Sequence, residues 1–309
     1  MEDKNYNEVQ ELNLEDLNLE NFTPNEPAHE VGDSPIVNPA DNTEEEDYSE
    51  NSIQIGDKRS PIILLFGPTS CGKSMTLVRL SRYLRDQGYE IVPDYNFRIG
   101  EKYRRKCDKF LNDLDTQDAL RGTSYGDFLL VKIVKNGKTI CQFLEAPGEH
   151  YFDEKNVSAN NFPAYMTRMI RAQINRKIWV FITEANWKKD FRTKKAYVAR
   201  IANCNSQIMT PRDRSIIMYN KIDRKPHLKK TGKILISQAN EEMSNEYEGL
   251  VKIFKNNTPF VSWITPFKYQ FVPFCTGYYN EEAGRVIYTE SEDMYPKYLW
   301  QSIMKCIKG

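Results

Sequence analysis

Pro61-Ile-Ile-Leu-Leu-Phe66 runs without a break into Gly67-Pro-Thr-Ser-Cys-Gly-Lys-Ser74 and then into Met75-Thr-Leu-Val-Arg-Leu-Ser-Arg-Tyr-Leu84. The first segment is bare apolar chain, the second is small and glycine-punctuated, and the third has the apolar spacing of a helix. Strand, glycine loop and helix in that order spell G-x-x-x-x-G-K-S, a loop whose inward-facing N–H groups wrap a phosphate while the helix N-terminus adds its dipole. The loop Gly67, Pro68, Thr69, Ser70, Cys71 and Gly72 is therefore expected to line the phosphates. Lys73 is expected to reach the β and γ oxygens, and Ser74 to ligate Mg²⁺.

Downstream, Arg214-Ser-Ile-Ile-Met-Tyr-Asn-Lys-Ile-Asp223 is a second apolar strand ending in N-K-x-D. A carboxylate at Asp223 accepts hydrogen bonds from both N1–H and the 2-amino group of guanine, a donor pair adenine lacks. Lys221 would lay its stem over the ring, with Asn220 beside it. Between the two motifs, Asn136-Gly137 separates two alternating segments, the signal for a hairpin with a type I′ turn. Its second strand delivers Glu145-Ala-Pro-Gly148 to the edge of the sheet where ligands bind in open α/β folds. From Ser60 onward, short apolar runs alternate with helical stretches, which predicts an α/β domain with a largely parallel sheet.

These three ordered motifs resemble the Ras-like, translation-factor-related class of P-loop GTPases, over roughly residues 60–309. The resemblance implies a three-layer α/β P-loop fold, mostly parallel with one antiparallel hairpin strand, that binds GTP/GDP with Mg²⁺. Gly148 would then offer its N–H to the γ-phosphate, and Glu149 stands where the family keeps a water-orienting Gln or His. His150 is the adjacent candidate for that role. Glu145 replaces the family's metal-side aspartate with a side chain one methylene longer. Thr123, which lies 22 residues before Glu145, matches the switch threonine that binds Mg²⁺ and the γ-phosphate, with Ser124 an equal alternative. Arg121 resembles the arginine that G-protein α subunits place shortly before that threonine, as the cation for the transition state. Cys275 and Thr276 fall where the family's last loop meets the guanine carbonyl.

The 309 residues hold 43 Lys+Arg and 43 Asp+Glu, but residues 1–58 carry 17 acids against Lys4 and Lys58. That segment has a charge of −15 and is read as an acidic disordered arm, because it cannot bury enough apolar surface to offset its ordering entropy. Residues 59–309 are read as the nucleotide-binding domain, enlarged by extra segments near 95–122, 150–176 and 224–260. Glu101–Leu111 reads as a basic helix, and Lys188, Lys189, Arg192, Lys194, Lys195, Lys229 and Lys230 continue a positive surface. Such a surface suits a protein partner or the acidic arm ahead of nucleic acid or an anionic membrane. Residues 293–307 read as a closing amphipathic helix.

The six cysteines never fall within four residues of one another, so they are expected to be reduced, mostly buried thiols. No apolar run reaches the length of a membrane span, and the N-terminus is acidic, which predicts a cytoplasmic protein. Taken together, the sequence predicts a Mg²⁺-dependent GTPase switch that hydrolyses GTP to GDP and phosphate and addresses a protein effector or activating partner. The alternative is a non-hydrolysing GTP-binding scaffold, to which Glu145 and Glu149 point.

Overall fold

The computed structural model describes residues 54–116, 128–157, 162–163, 166–167, 170–171, 174–256, 267–282 and 285–309. Among them a seven-stranded sheet runs in the order β2-β3-β4-β1-β5-β6-β9. Its strands are β1 (Ile62–Phe66), β2 (Glu90–Pro93), β3 (Leu129–Lys135), β4 (Lys138–Glu145), β5 (Lys177–Glu184), β6 (Arg214–Asn220) and β9 (Tyr269–Pro273). β1 pairs in parallel with β4 and β5, β5 with β6, and β6 with β9. β3 is antiparallel to both β2 and β4. The hairpin turn is Asn136-Gly137, with φ of +52° and +70°, the doubly left-handed geometry that the Asn-Gly pair favours. β1 is buried along its whole length because the sheet is covered on both faces, which explains why it reads as continuous apolar chain rather than as an alternation.

Two short pairs lie outside this sheet. One is the two-residue ribbon of β7 (Lys229–Lys230) and β8 (Lys233–Ile234), and the other is the hairpin of β10 (Gly277–Glu282) and β11 (Arg285–Glu290).

Right-handed crossovers put helices on opposite faces when the chain leaves the centre of a sheet in opposite directions. From β1 the chain goes through α1 (Lys73–Asp86) toward the β2 edge, and from β5 it goes through α4 (Phe191–Gln207) toward β9. α1 packs against α2 (Glu101–Asp115) and the last helix, α7 (Met294–Lys308). On the other side α4 packs against the single turn α6 (Leu250–Ile253), and α5 (Ile236–Glu246) lies on β6 and β9. The direction of winding reverses at β1, so the crevice at its C-terminal end is where a ligand is expected in such a sheet. A further single turn, α3 (Gly148–Tyr151), follows β4 at that same end.

Helix α1 is tied down by two buried arginines. Arg79, 2% exposed, donates to the Ser291 carbonyl at 2.7 Å and to Asp293 at 2.6 Å. Arg82 bonds Glu290 at 2.6 Å and the Asp113 carbonyl at 2.6 Å. Helix α1 is thereby fixed to the turn before α7 and to the end of α2. α4 starts at Asp190, whose carboxylate accepts from the Thr193 N–H at 2.7 Å. All six cysteines are buried and unpaired. Among the described residues no helix is long and apolar enough to cross a membrane.

The core beneath the crevice is aromatic. Phe66, the last residue of β1, has ring centroids of Tyr151 at 4.7 Å, Phe181 at 5.2 Å and Phe162 at 6.0 Å. Phe66→Ala is expected to lower stability by about 3–5 kcal/mol, read from chemical denaturation, because the cavity would open directly under the loop that follows.

Candidate nucleotide-binding site

Loops from four strands meet at the C-terminal end of β1. The loop Gly67–Ser74 leaves β1 and turns into α1 through Gly72, whose φ is +98°. A Cβ there would stand 2.5 Å from the Asn220 Nδ2, so glycine is required by both conformation and space. Ser70 also takes a left-handed φ of +63°. Lys73 is buried, and its ammonium donates to the carbonyls of Gly67 at 3.2 Å and Pro68 at 2.9 Å. Cys71 is buried, and burial pushes its thiol above the ordinary range.

The second wall comes from β4. Glu145 is 2% exposed, and one carboxylate oxygen accepts a hydrogen bond from the Ser74 hydroxyl. The other, Oε2, is buried with no hydrogen-bond partner among the described residues. Burial pushes the Glu145 carboxyl up, opposed by the Ser74 hydroxyl and by the Lys106 and Lys73 ammonium groups. A hydroxyl beside a buried carboxylate with an unsatisfied oxygen is an oxygen donor set that fits Mg²⁺, which takes few protein ligands and completes its shell with phosphates and water.

Just beyond, Gly148 begins α3 against the loop Gly67–Ser74 itself. A Cβ on it would lie 2.3 Å from the Thr69 nitrogen and 2.6 Å from the Pro68 carbonyl carbon. Its neighbour Glu149 is exposed and accepts a hydrogen bond from the Thr69 hydroxyl at 3.2 Å. The His150 ring sits 5.9 Å from that of Phe128, on the β3 side. Arg121, Thr123 and Ser124 lie outside the described residues.

The third and fourth walls carry the base-recognition candidates. Asn220, fully buried at the end of β6, donates from Nδ2 to the Cys71 carbonyl at 2.8 Å. Lys221 follows with a left-handed φ of +56°, and its ammonium donates to the Ser70 carbonyl at 3.1 Å. Asp223 sits exposed in the 3₁₀ turn Ile222–Arg224. The loop after β9 is sewn to this turn, with the Ile222 N–H bonded to the Phe274 carbonyl at 3.1 Å and the Phe274 N–H to the Tyr219 carbonyl at 2.8 Å. Cys275 is buried, which pushes its thiol up, and the nearby Asp223 carboxylate adds to the rise. Its carbonyl accepts from the Ser291 hydroxyl at 2.6 Å, and the Thr276 carbonyl from the Tyr288 hydroxyl at 2.8 Å.

The residues singled out from the phosphate, G-containing and N-K-x-D motifs thus converge on one crevice. Sequence reasoning passed over Glu184, the last residue of β5, which bonds Lys221 and, at 2.9 Å, Arg224. The available signal was an acid closing an apolar strand at the ligand-binding edge of the sheet. It also read the basic helix as surface, whereas its Lys106 is buried; Lys189 and Lys229 are exposed as expected and pair with Glu154 at 2.7 Å and with Glu292.

No protein-family model matches the sequence, and no curated protein matches it. Among solved structures, the GTPase-like domain of Saccharomyces cerevisiae Ski7 bound to GTP matches at 15% identity with a TM-score of 0.38. The same domain bound to GDP and inorganic phosphate matches at 16% identity with a TM-score of 0.37. Each alignment covers 71% of this chain and 43% of the other, so the chain corresponds to less than half the length of those structures. The chain has an α/β fold with a mostly parallel seven-stranded sheet and an antiparallel hairpin.

Proposed function

We infer that this chain binds guanine nucleotides with Mg²⁺ and hydrolyses GTP to GDP and phosphate, serving as a switch toward a protein partner. The observation that carries this reading is the buried hydrogen bond from Asn220 to the Cys71 carbonyl. It joins a phosphate-cradling loop to a base-reading turn 149 residues away in sequence, so two motifs suited to opposite ends of one ligand share one crevice.

Within it the loop from Gly67 to Ser74 binds phosphate through backbone N–H groups, and Lys73 neutralises oxygens at the β and γ positions. Asp223 selects guanine by accepting two donors on one edge of the ring. Cys275 and Thr276 line the same end of the site. Ser74 and Glu145 would hold Mg²⁺, with Thr123 a further candidate ligand. The metal supplies charge neutralisation on the phosphate oxygens. Gly148, packed on the loop, orients the chain beyond β4 toward the terminal phosphate, which is the contact a switch uses to report whether that phosphate is present. Arg121 is the candidate cation for the transition state, and His150 a candidate for orienting water.

The Thr69–Glu149 hydrogen bond favours a second reading, a guanine-nucleotide-binding scaffold that does not hydrolyse. A carboxylate held at this end of the loop repels a terminal phosphate.

Calorimetry with GDP in magnesium is expected to give saturable binding that Lys73→Ala abolishes. Asp223→Asn is expected to move the preference from guanine toward xanthine nucleotides by at least about ten-fold, since a buried hydrogen-bonding edge is then mismatched. ATP competing as well as GTP would exclude guanine selection. Steady-state phosphate release separates the two readings. A hydrolysing switch exceeds the Lys73→Ala blank and accelerates in Glu149→Gln, where the repelling charge is gone. A scaffold stays at the blank in both proteins while nucleotide remains bound.

A further inference from the structure

Glu184 lies outside every motif above, yet it occupies the centre of the base-recognition side. In the parallel register of β5 and β6 it stands level with Asn220. Its main chain is gripped by a single hydroxyl, because Tyr247 accepts from the Glu184 N–H at 2.9 Å and donates to the Glu184 carbonyl at 3.0 Å. The next residue is held too, with the Ala185 N–H on the Asn220 carbonyl at 2.8 Å. The side chain is 10% exposed and both its oxygens are used, Oε2 by the Lys221 ammonium and Oε1 by Arg224 at 2.9 Å.

We propose that Glu184 is a positioning residue for purine recognition, whose carboxylate pins the Lys221 ammonium so that the Lys221 stem forms a fixed wall of the base site. The proposal rests on the guanine-nucleotide reading.

Three features of the geometry support it. The carboxylate binds residues 221 and 224, which flank Asp223, so it braces the turn that presents the base-reading acid. The Lys221 ammonium is shared between Glu184 and the Ser70 carbonyl, so the aliphatic stem is stretched from the base turn to the phosphate loop. Held at both ends, a stem of this kind offers a flat apolar strip to a ring face without losing rotamer freedom at the moment of binding. Finally, Lys221 and Arg224 bring two like charges to one short turn, and Glu184 removes the repulsion between them.

A wall that touches the ring face acts on any purine, whatever its edge carries. Glu184 is therefore assigned to affinity and Asp223 to specificity.

The test is a double-mutant cycle on the full chain with GDP as the probe. Glu184→Gln is expected to weaken GDP about ten-fold, the range for losing a charged hydrogen bond. Once Lys221→Met has removed the ammonium, adding Glu184→Gln is expected to cost far less than ten-fold, since only the Arg224 contact is left to lose. In the Asp223→Asn background, Glu184→Gln is expected to weaken xanthosine diphosphate by the same factor. A role confined to fold stability would lower the melting temperature without this non-additivity.

Wild-type affinity in Glu184→Gln, or penalties that multiply in the double variant, overturns the proposal. Should Glu184→Gln not fold, wild-type GDP affinity in Lys221→Met alone overturns it. Failure of the wild-type protein to bind GDP would instead bring down the guanine reading itself, and the proposal with it.

Discussion

One buried amide organises the C-terminal end of the sheet's central strands. Asn220 is fully enclosed at the tip of β6, and its Nδ2 donates to the Cys71 carbonyl in the loop after β1. The loop would otherwise leave that carbonyl unsatisfied in a dry environment, a cost comparable to the bond itself. The contact also explains why Gly72 has no side chain, since a Cβ there would collide with the same amide. Parallel strands bring β1 and β6 to the same sheet edge with β5 between them, and this bond couples their loops across β5. The rest of the crevice is arranged around that coupling.

Charge is handled differently at the two ends. Beside the loop after β1, Glu145 is a nearly inaccessible acid with one oxygen on the Ser74 hydroxyl and the other without a partner among the described residues. Such a group is expensive to bury unless a cation or proton meets it. Lys73 and the unexpectedly buried Lys106 both act on it, which places α2 in the electrostatics of this end rather than on the surface alone. Beside the turn after β6, Glu184 is saturated by two cations and its backbone is locked by Tyr247. One acid keeps an oxygen with no hydrogen-bond partner among the described residues, and the other is spent on holding neighbours in place.

The fold was legible because its signals are local. The unbroken apolar run of β1 reports burial on both faces, Asn136-Gly137 reports a turn that requires two left-handed residues, and the amphipathic C-terminal helix appears as α7. The loop between β1 and α1 was legible for the same reason, since its glycines and small residues punctuate one short segment between an apolar run and a helical pattern. The hairpin β10–β11 was not anticipated. Its pairing is set by where the chain emerges after β9 and by Tyr288 reaching back to the Thr276 carbonyl, a contact with no signature in the spacing of residues.

What the sequence determined by itself was therefore the kind of those elements that carry a local signature, because steric and hydrogen-bonding rules operate over a few residues. The tertiary structure alone decided which distant groups share a boundary. It placed Glu149 on Thr69, Glu184 between Lys221 and Arg224, and Lys106 behind Glu145. Each of these depends on strand order and register, which bring together side chains separated by tens of residues. A charge's role depends on what stands beside it after that order is set.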